Sequence, residues 1–160
     1  IVRAMPNRPA LIGAGITALY AGNGIAARDR EDVEALMSAA GSTVWLDQES
    51  QMDAVTAISG SGPAYFFLLI EALESAGVAS GLPAATARRL AIETARGAGL
   101  MAAQGGETPA VLREQVTSRG GTTEAALQVL EAAAVSDTFR SAVAAAARRS
   151  AQLADEFGST

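Results

Sequence analysis

The sequence predicts a mainly α fold, with an α/β stretch over residues 1–50 followed by an all-helical domain over 51–160. Up to Ser50 the apolar residues come in short runs broken by Gly and Pro, as in strands and turns. Beyond Gln51 they recur at three- and four-residue spacing, as on helix faces. The composition, 49% hydrophobic and 18% charged, is that of a globular chain rather than a disordered one.

Within the first stretch, Ile1–Met5, Ala10–Gly13 and Thr17–Ala21 read as strands. Asp29–Ala40 reads as a helix, with Asp29 as N-cap and Val33, Leu36, Met37 and Ala40 on one stripe. Gly41 closes it, and Thr43-Val44-Trp45-Leu46 is a further strand. So few short elements cannot bury themselves, so this stretch reads as the tail of a larger α/β domain, with the chain starting mid-fold. Ile1-Val2-Arg3-Ala4 carries neither an initiator Met nor a signal-peptide pattern.

In the second stretch, Asp53–Ser59 reads as a short helix interrupted by Ser59-Gly60-Ser61-Gly62-Pro63. Ala64–Ile70 is apolar on every side, which predicts a helix buried all round. Gly77 and Gly81 punctuate its end, and Pro83 occupies a first helical position. The next helix, Ala84–Ala103, sets Ala87, Leu90, Ala91, Thr94, Ala98 and Met101 against Arg88, Arg89, Glu93 and Arg96. Thr108-Pro109 opens a helix running to Val116, and Thr122 opens another to Ala134. Asp137–Phe157 is the final helix, with Phe139, Ala142, Val143, Ala146, Ser150, Leu153 and Phe157 in one stripe. Gly97 and Gly99 offer points of close helix approach. A helix apolar all round in so small a helical set implies that a second copy covers it, through residues 51–157.

The missing residue types narrow the chemistry. There is no Cys and no His, and all twelve basic residues are Arg. Thiol nucleophiles, Cys-zinc sites, imidazole bases, Schiff-base lysines and a Walker-A lysine are therefore excluded. No metal site is expected. What remains is hydroxyls, carboxylates, Arg, backbone amides or a borrowed cofactor, which favours redox or binding over hydrolysis. A formal charge of -5 argues against nucleic acid. No apolar run is expected to reach the roughly 18 residues of a membrane span. The reading is a soluble, cytoplasmic protein.

Three segments carry possible chemistry. Gly13-Ala14-Gly15-Ile16-Thr17-Ala18 matches the spacing of a dinucleotide fingerprint, but no amphipathic helix follows it, so it reads as a decoy. Ser59–Pro63 reads either as a hinge between packed helices or as a ligand-lining loop. Thr117-Ser118-Arg119-Gly120-Gly121-Thr122-Thr123 leads into a helix. Its glycines let amides turn toward one point, the helix adds its positive end, and Ser118, Thr122 and Thr123 add hydroxyls. That combination suits a small anion, above all a carboxylate; the alternative is an ordinary helix cap after a flexible turn.

These pieces, in this order, resemble pyrroline-5-carboxylate reductases. The resemblance rests on Val2-Arg-Ala-Met-Pro-Asn7, Asp53-Ala-Val-Thr-Ala-Ile-Ser-Gly-Ser-Gly-Pro-Ala-Tyr65 and Gly81-Leu-Pro83. Leu112-Arg-Glu-Gln-Val-Thr-Ser118, Gly120-Gly-Thr-Thr123 and Arg148-Arg149-Ser150 complete it. It implies the last α/β part of a Rossmann-type domain binding NADPH or NADH, then a helical dimerisation and substrate-binding domain. The chain would then lack the front of the nucleotide domain, including the true glycine fingerprint. The family's active site lies between the nucleotide domain of one subunit and the helical domain of its partner, and its dimers often assemble into decamers.

By position, the resemblance implies that Ser118, Gly120, Gly121 and Thr122 bind the carboxylate of a cyclic imino acid. Thr123 would hydrogen-bond the ring nitrogen and donate the proton. Ala4, Met5, Pro6 and Asn7 would lie beside the nicotinamide. The implied reaction is NAD(P)H-dependent reduction of 1-pyrroline-5-carboxylate to L-proline. Two alternatives remain: a catalytically inactive helical oligomerisation module, and a paralogous reductase of another cyclic imine. The family usually has Pro where this chain has Arg119, and commonly Thr where it has Arg8. Arg119 could tune substrate affinity, reach a cofactor phosphate, or mark the paralogue.

Overall fold

The computed structural model describes residues 1–158, with side chains to Glu156. The chain divides into two units: Ile1–Tyr65 together with the chain from Arg140 on, and Phe66–Phe139.

The first unit is built on a three-stranded sheet ordered β1 (Val2–Met5), β2 (Gly15–Ala21), β3 (Gly41–Trp45). β1 runs antiparallel to β2, pairing Val2 with Ala21 and Met5 with Ala18. β2 runs parallel to β3, pairing Gly15 with Gly41 and Leu19 with Trp45. Parallel strands need a crossover, and α1 (Ala27–Ser38) supplies it. Thr17, Ala18 and Leu19 are consecutive and all buried, as the middle strand of three should be. Gly41 adopts φ 139°, and a Cβ there would collide with the carbonyl of Gly15, so the parallel pair needs a glycine at that point. Glu34 fixes α1 to β3: its carboxylate accepts from Thr43 Oγ1 at 3.1 Å and from Trp45 Nε1 at 3.0 Å. Arg30 covers the Trp45 ring at 4.3 Å.

Two expectations for this unit are corrected. Ala10–Gly13 is not a strand; Arg8–Ile12 forms a 3-10 turn, begun by Pro9 and closed by Gly13 at φ 70°. Proline's fixed φ and missing amide suit a helical first turn and not a paired strand. Asp29 is not the N-cap, because α1 starts at Ala27 after Ala26 and leaves Asp29 in the first turn, where its charge suits the helix dipole. Of the predicted stripe, Val33 and Met37 are half-buried while Leu36 is 73% exposed.

The Ser59–Pro63 segment does not interrupt the helix it was expected to break. A short 3-10 turn (Glu49–Gln51) leads into α2 (Met52–Val55), a π turn (Thr56–Gly60) and α3 (Gly62–Ala79) without a gap. Pro63 has no amide hydrogen, and its ring crowds the carbonyl four residues back. The widened turn absorbs this: Ser61 N–H donates to the Thr56 carbonyl, five residues back, at 2.8 Å. Tyr65 OH donates to the Ala57 carbonyl at 3.1 Å. From the last helix, α7 (Val135–Gly158), Ser150 Oγ donates to Asp53 Oδ1 at 2.7 Å and ties α7 to α2. Phe157, assigned to the α7 stripe from sequence, lies outside the residues whose side chains are described.

The second unit comprises α3 from Phe66 on, α4 (Ala84–Ala103), α5 (Pro109–Gln115), α6 (Thr122–Ala132) and the start of α7. Pro83 is the residue before α4 rather than its first. Gly77 lies inside α3, where a Cβ would meet Ala87 Cβ at 3.0 Å, so the α3–α4 hairpin packs on small residues. Ala87 and Ala91 are buried there. Glu74 bridges to Arg88 at 2.9 Å and, by hydrogen bonding and charge, holds that guanidinium above its ordinary pKa. Thr108 caps α5 ahead of Pro109, as expected, accepting from Val111 N–H at 3.4 Å. α7 begins at Val135, two residues early, because Ala134 at φ 51° makes the corner from α6.

The burial expected around α3 is absent within one chain. Phe66, Phe67 and Leu68 are 65%, 58% and 65% exposed, and Leu90 and Met101 of α4 are also exposed. A Cβ on Gly97 or Gly99 would meet nothing within 4 Å, so neither is a contact point among the described residues. The 31-residue helical run Glu49–Ala79 is, by length and composition alone, apolar enough to cross a membrane.

Candidate functional site

The glycine loop at the head of α6 forms a tight turn. Gly121 N–H donates to the Ser118 carbonyl at 3.0 Å, with Gly120 at φ 73°. A positive φ at the third residue of a four-residue turn is the signature of the type II form, which glycine accommodates without steric cost. Arg119 is then the second turn residue, where proline's fixed φ is favoured but many residues fit. Arg119 is exposed, as are Ser118, Gly120 and Thr122, while Gly121 and Thr123 are half-buried.

Gly121 caps α6 with extended backbone, φ -85° and ψ 172°, and provides no side-chain cap. The amides of Thr122 and Thr123 are therefore first-turn amides without a helical partner, at the positive end of an 11-residue helix. Among the described residues the hydroxyls of Ser118, Thr122 and Thr123 carry no hydrogen bond. Thr117 is engaged elsewhere, its Oγ1 donating to the Arg113 carbonyl at 2.6 Å. One expected anion donor is already taken: Gly120 N–H donates to Glu124 Oε2 at 2.7 Å. The sequence reading did not single out Glu124; its position three residues after the cap was the available signal.

Ala4, Met5, Pro6 and Asn7 belong to the other unit, at the carboxyl end of β1. Ala4 and Pro6 are exposed, and Met5 and Asn7 are half-buried. Asn7 has structural work there, since its Oδ1 accepts the Ile16 N–H at 3.0 Å. A Cβ on Gly60 would come within 2.9 Å of Met5 Cε, so the π turn closes against the end of β1. The Ser59–Pro63 segment thus packs beside the strand end rather than serving as a free hinge. π turns often occur at functional sites.

The described residues offer no pyrophosphate grip beside Ala4 and Pro6. Gly13 and Gly15 lead into strand β2, not a helix, so the fingerprint spacing is a decoy, as expected. The glycines that do lead from a strand into a helix are Gly22 and Gly24, between β2 and α1. They lie at the carboxyl end of β2, and the antiparallel pairing puts that at the opposite end of the sheet from Met5. Among the described residues, no strand-to-helix glycine turn that could hold phosphates lies beside Met5.

Residues 49–153 match the family described as pyrroline-5-carboxylate reductase dimerisation. The chain is 49% identical over 158 residues to a pyrroline-5-carboxylate reductase of Pseudomonas aeruginosa, covering 99% of this chain and 58% of that protein. The solved pyrroline-5-carboxylate reductase of Coxiella burnetii superposes with a TM-score of 0.93 at 42% identity, over 96% of this chain and 57% of that one. The Plasmodium falciparum pyrroline carboxylate reductase, solved with NADP bound, gives 0.85 at 34% identity, over 94% of this chain and 61% of that one. The chain thus spans little more than half the length of the relatives it matches.

Proposed function

The chain belongs to the pyrroline-5-carboxylate reductase family, and from that premise we propose that it is the dimerising, substrate-binding part of an NAD(P)H-dependent reductase. The reaction is reduction of 1-pyrroline-5-carboxylate to L-proline. Residues 1–50 would complete the nucleotide domain and 51–160 form the helical domain. The observation that carries the reading is the Ser118–Gly121 turn at the head of α6, with the unpartnered first-turn amides of Thr122 and Thr123 beside three hydroxyls.

The hydroxyls of Ser118 and Thr122 and the amides of Thr122 and Thr123 would hold the substrate carboxylate, with the helix dipole adding about 0.3–2 kcal/mol, while Gly120 and Gly121, whose amides are committed to Glu124 and to the Ser118 carbonyl, would shape the turn around it. Thr123, half-buried one residue further into the helix, would hydrogen-bond the ring nitrogen and stand in the proton path to it. Ala4, Met5, Pro6 and Asn7 would border the nicotinamide, with Asn7 holding the strand end to β2. The cofactor, when bound, supplies hydride to the imine carbon. A cyclic iminium accepts hydride without metal, thiol or imidazole, so positioning and charge balance are what these residues contribute.

The exposed apolar faces of α3 and α4 support a homodimer through the helical domain, with decamers as a further assembly. They also account for the membrane-like composition of Glu49–Ala79 without a membrane, in a soluble cytoplasmic protein. The same faces favour a second reading, an oligomerisation module without turnover; Arg119 favours a third, another cyclic imine. The test is NADPH or NADH oxidation by the full-length protein with pyrroline-5-carboxylate. Turnover removes the module reading. Its absence, with a dimer intact, removes the reductase reading, and turnover of only another imine identifies the paralogue.

A further inference from the structure

Glu124 stands at the third helical position of α6 and places a carboxylate on the loop just described. A glutamate there ordinarily returns to the amide of the cap residue. Here the cap is Gly121, whose amide is already committed to the Ser118 carbonyl. Glu124 therefore takes the amide one residue earlier, Gly120 N–H, at 2.7 Å. That amide belongs to the one turn residue with positive φ, so the bond fixes the conformation on which the turn depends. Among the described residues no ion pair neutralises Glu124. The groove on its side of the loop is lined by Arg113, Glu114 and Glu131 as well, leaving an excess of negative charge.

We propose that Glu124 is a specificity-determining positioning residue, setting the turn through the Gly120 amide while its charge restrains the loop's affinity for carboxylate ligands. This rests on Ser118–Thr123 being the carboxylate grip. A substrate carboxylate must then be held by the Thr122 and Thr123 amides and the hydroxyls, beside a resident anion rather than in place of one. Like charges a few ångströms apart next to water alter binding by roughly fivefold.

The experiment uses the full-length protein and two imines, pyrroline-5-carboxylate and the uncharged 1-pyrroline. Glu124→Gln keeps an oxygen for the Gly120 amide and removes the charge. It should lower KM for the carboxylated imine roughly fivefold and leave KM for 1-pyrroline unchanged. The difference should shrink at about 0.5 M salt, where exposed charges are screened. Glu124→Asp keeps the charge but shortens the reach, and should raise KM for both imines. An unchanged KM for the carboxylated imine in Glu124→Gln, or an equal shift for both imines, overturns the proposal while leaving the carboxylate-grip reading standing. Absence of turnover of either imine by the wild type overturns both.

Discussion

At Gly121 the absence of a side chain is required by contact rather than by dihedral. Its backbone is extended, which any residue tolerates, yet an added Cβ would lie 2.9 Å from the Ser118 carbonyl oxygen and close to Oγ. Gly121→Val should therefore open the turn, lowering stability by about 1–3 kcal/mol and raising substrate KM in the full-length protein. Denaturation together with steady-state kinetics checks both, and unaltered KM would sink the backbone-grip idea. Thr123→Ala should lower turnover by about a hundredfold if its hydroxyl carries the proton, while cofactor affinity measured by fluorescence titration stays within twofold of wild type. Unchanged turnover would remove Thr123 from the mechanism. Arg119, without a structural account from sequence, now has one as the second residue of the turn. Arg119→Pro should stabilise the protein by about 0.4–1 kcal/mol by restricting the unfolded chain, and urea denaturation reads this directly.

Among the elements, the π turn shows where local rules conflict. Glycines and a proline in Ser59–Pro63 signal a break, yet the helix continues because a wider turn absorbs the proline. The flanking side chains follow the backbone: Thr56 Oγ1 donates to the Met52 carbonyl at 2.9 Å and Ser59 Oγ to the Val55 carbonyl at 3.0 Å. Nothing in the local pattern announces that Met5 will lie against Gly60, since 55 positions separate them in the sequence and only folding joins them. The Ser150–Asp53 hydrogen bond is of the same kind, spanning 97 positions. It links two stretches that sequence resemblance picked out separately. Ser150→Ala should leave the Asp53 carboxylate short of a donor and cost about 1–2 kcal/mol. A change in melting temperature within error would show that water replaces the hydroxyl at no cost.

For the molecule as a whole, the exposed Phe66, Phe67 and Leu68 make a strong demand for cover. Each such side chain gains about 1.5–3 kcal/mol on full burial, so a lone chain leaves much of its available stability unused. The full-length protein should have the mass of a dimer or larger by light scattering at micromolar concentration. Its melting temperature should rise with protein concentration, because association favours the folded state. A single-chain mass with a concentration-independent melting temperature would contradict the dimer.

The sequence by itself determined the helix starts at Thr108-Pro109 and Thr122, the change of period near Gln51, the exclusion of thiol, imidazole and lysine chemistry, and the glycine turn before α6. These are local, written in neighbouring residues whose propensities agree. It also signalled an apolar helix whose cover has to come from a second copy, and Phe66, Phe67 and Leu68 are exposed in the single chain. Tertiary structure alone decided that the Ser59–Pro63 helix continues and that Met5 meets Gly60. It also decided that Glu124 occupies the amide of Gly120. Each of these depends on which groups find partners after the chain has closed on itself, and partner choice is set by the competition for buried amides and space rather than by any residue's own preference.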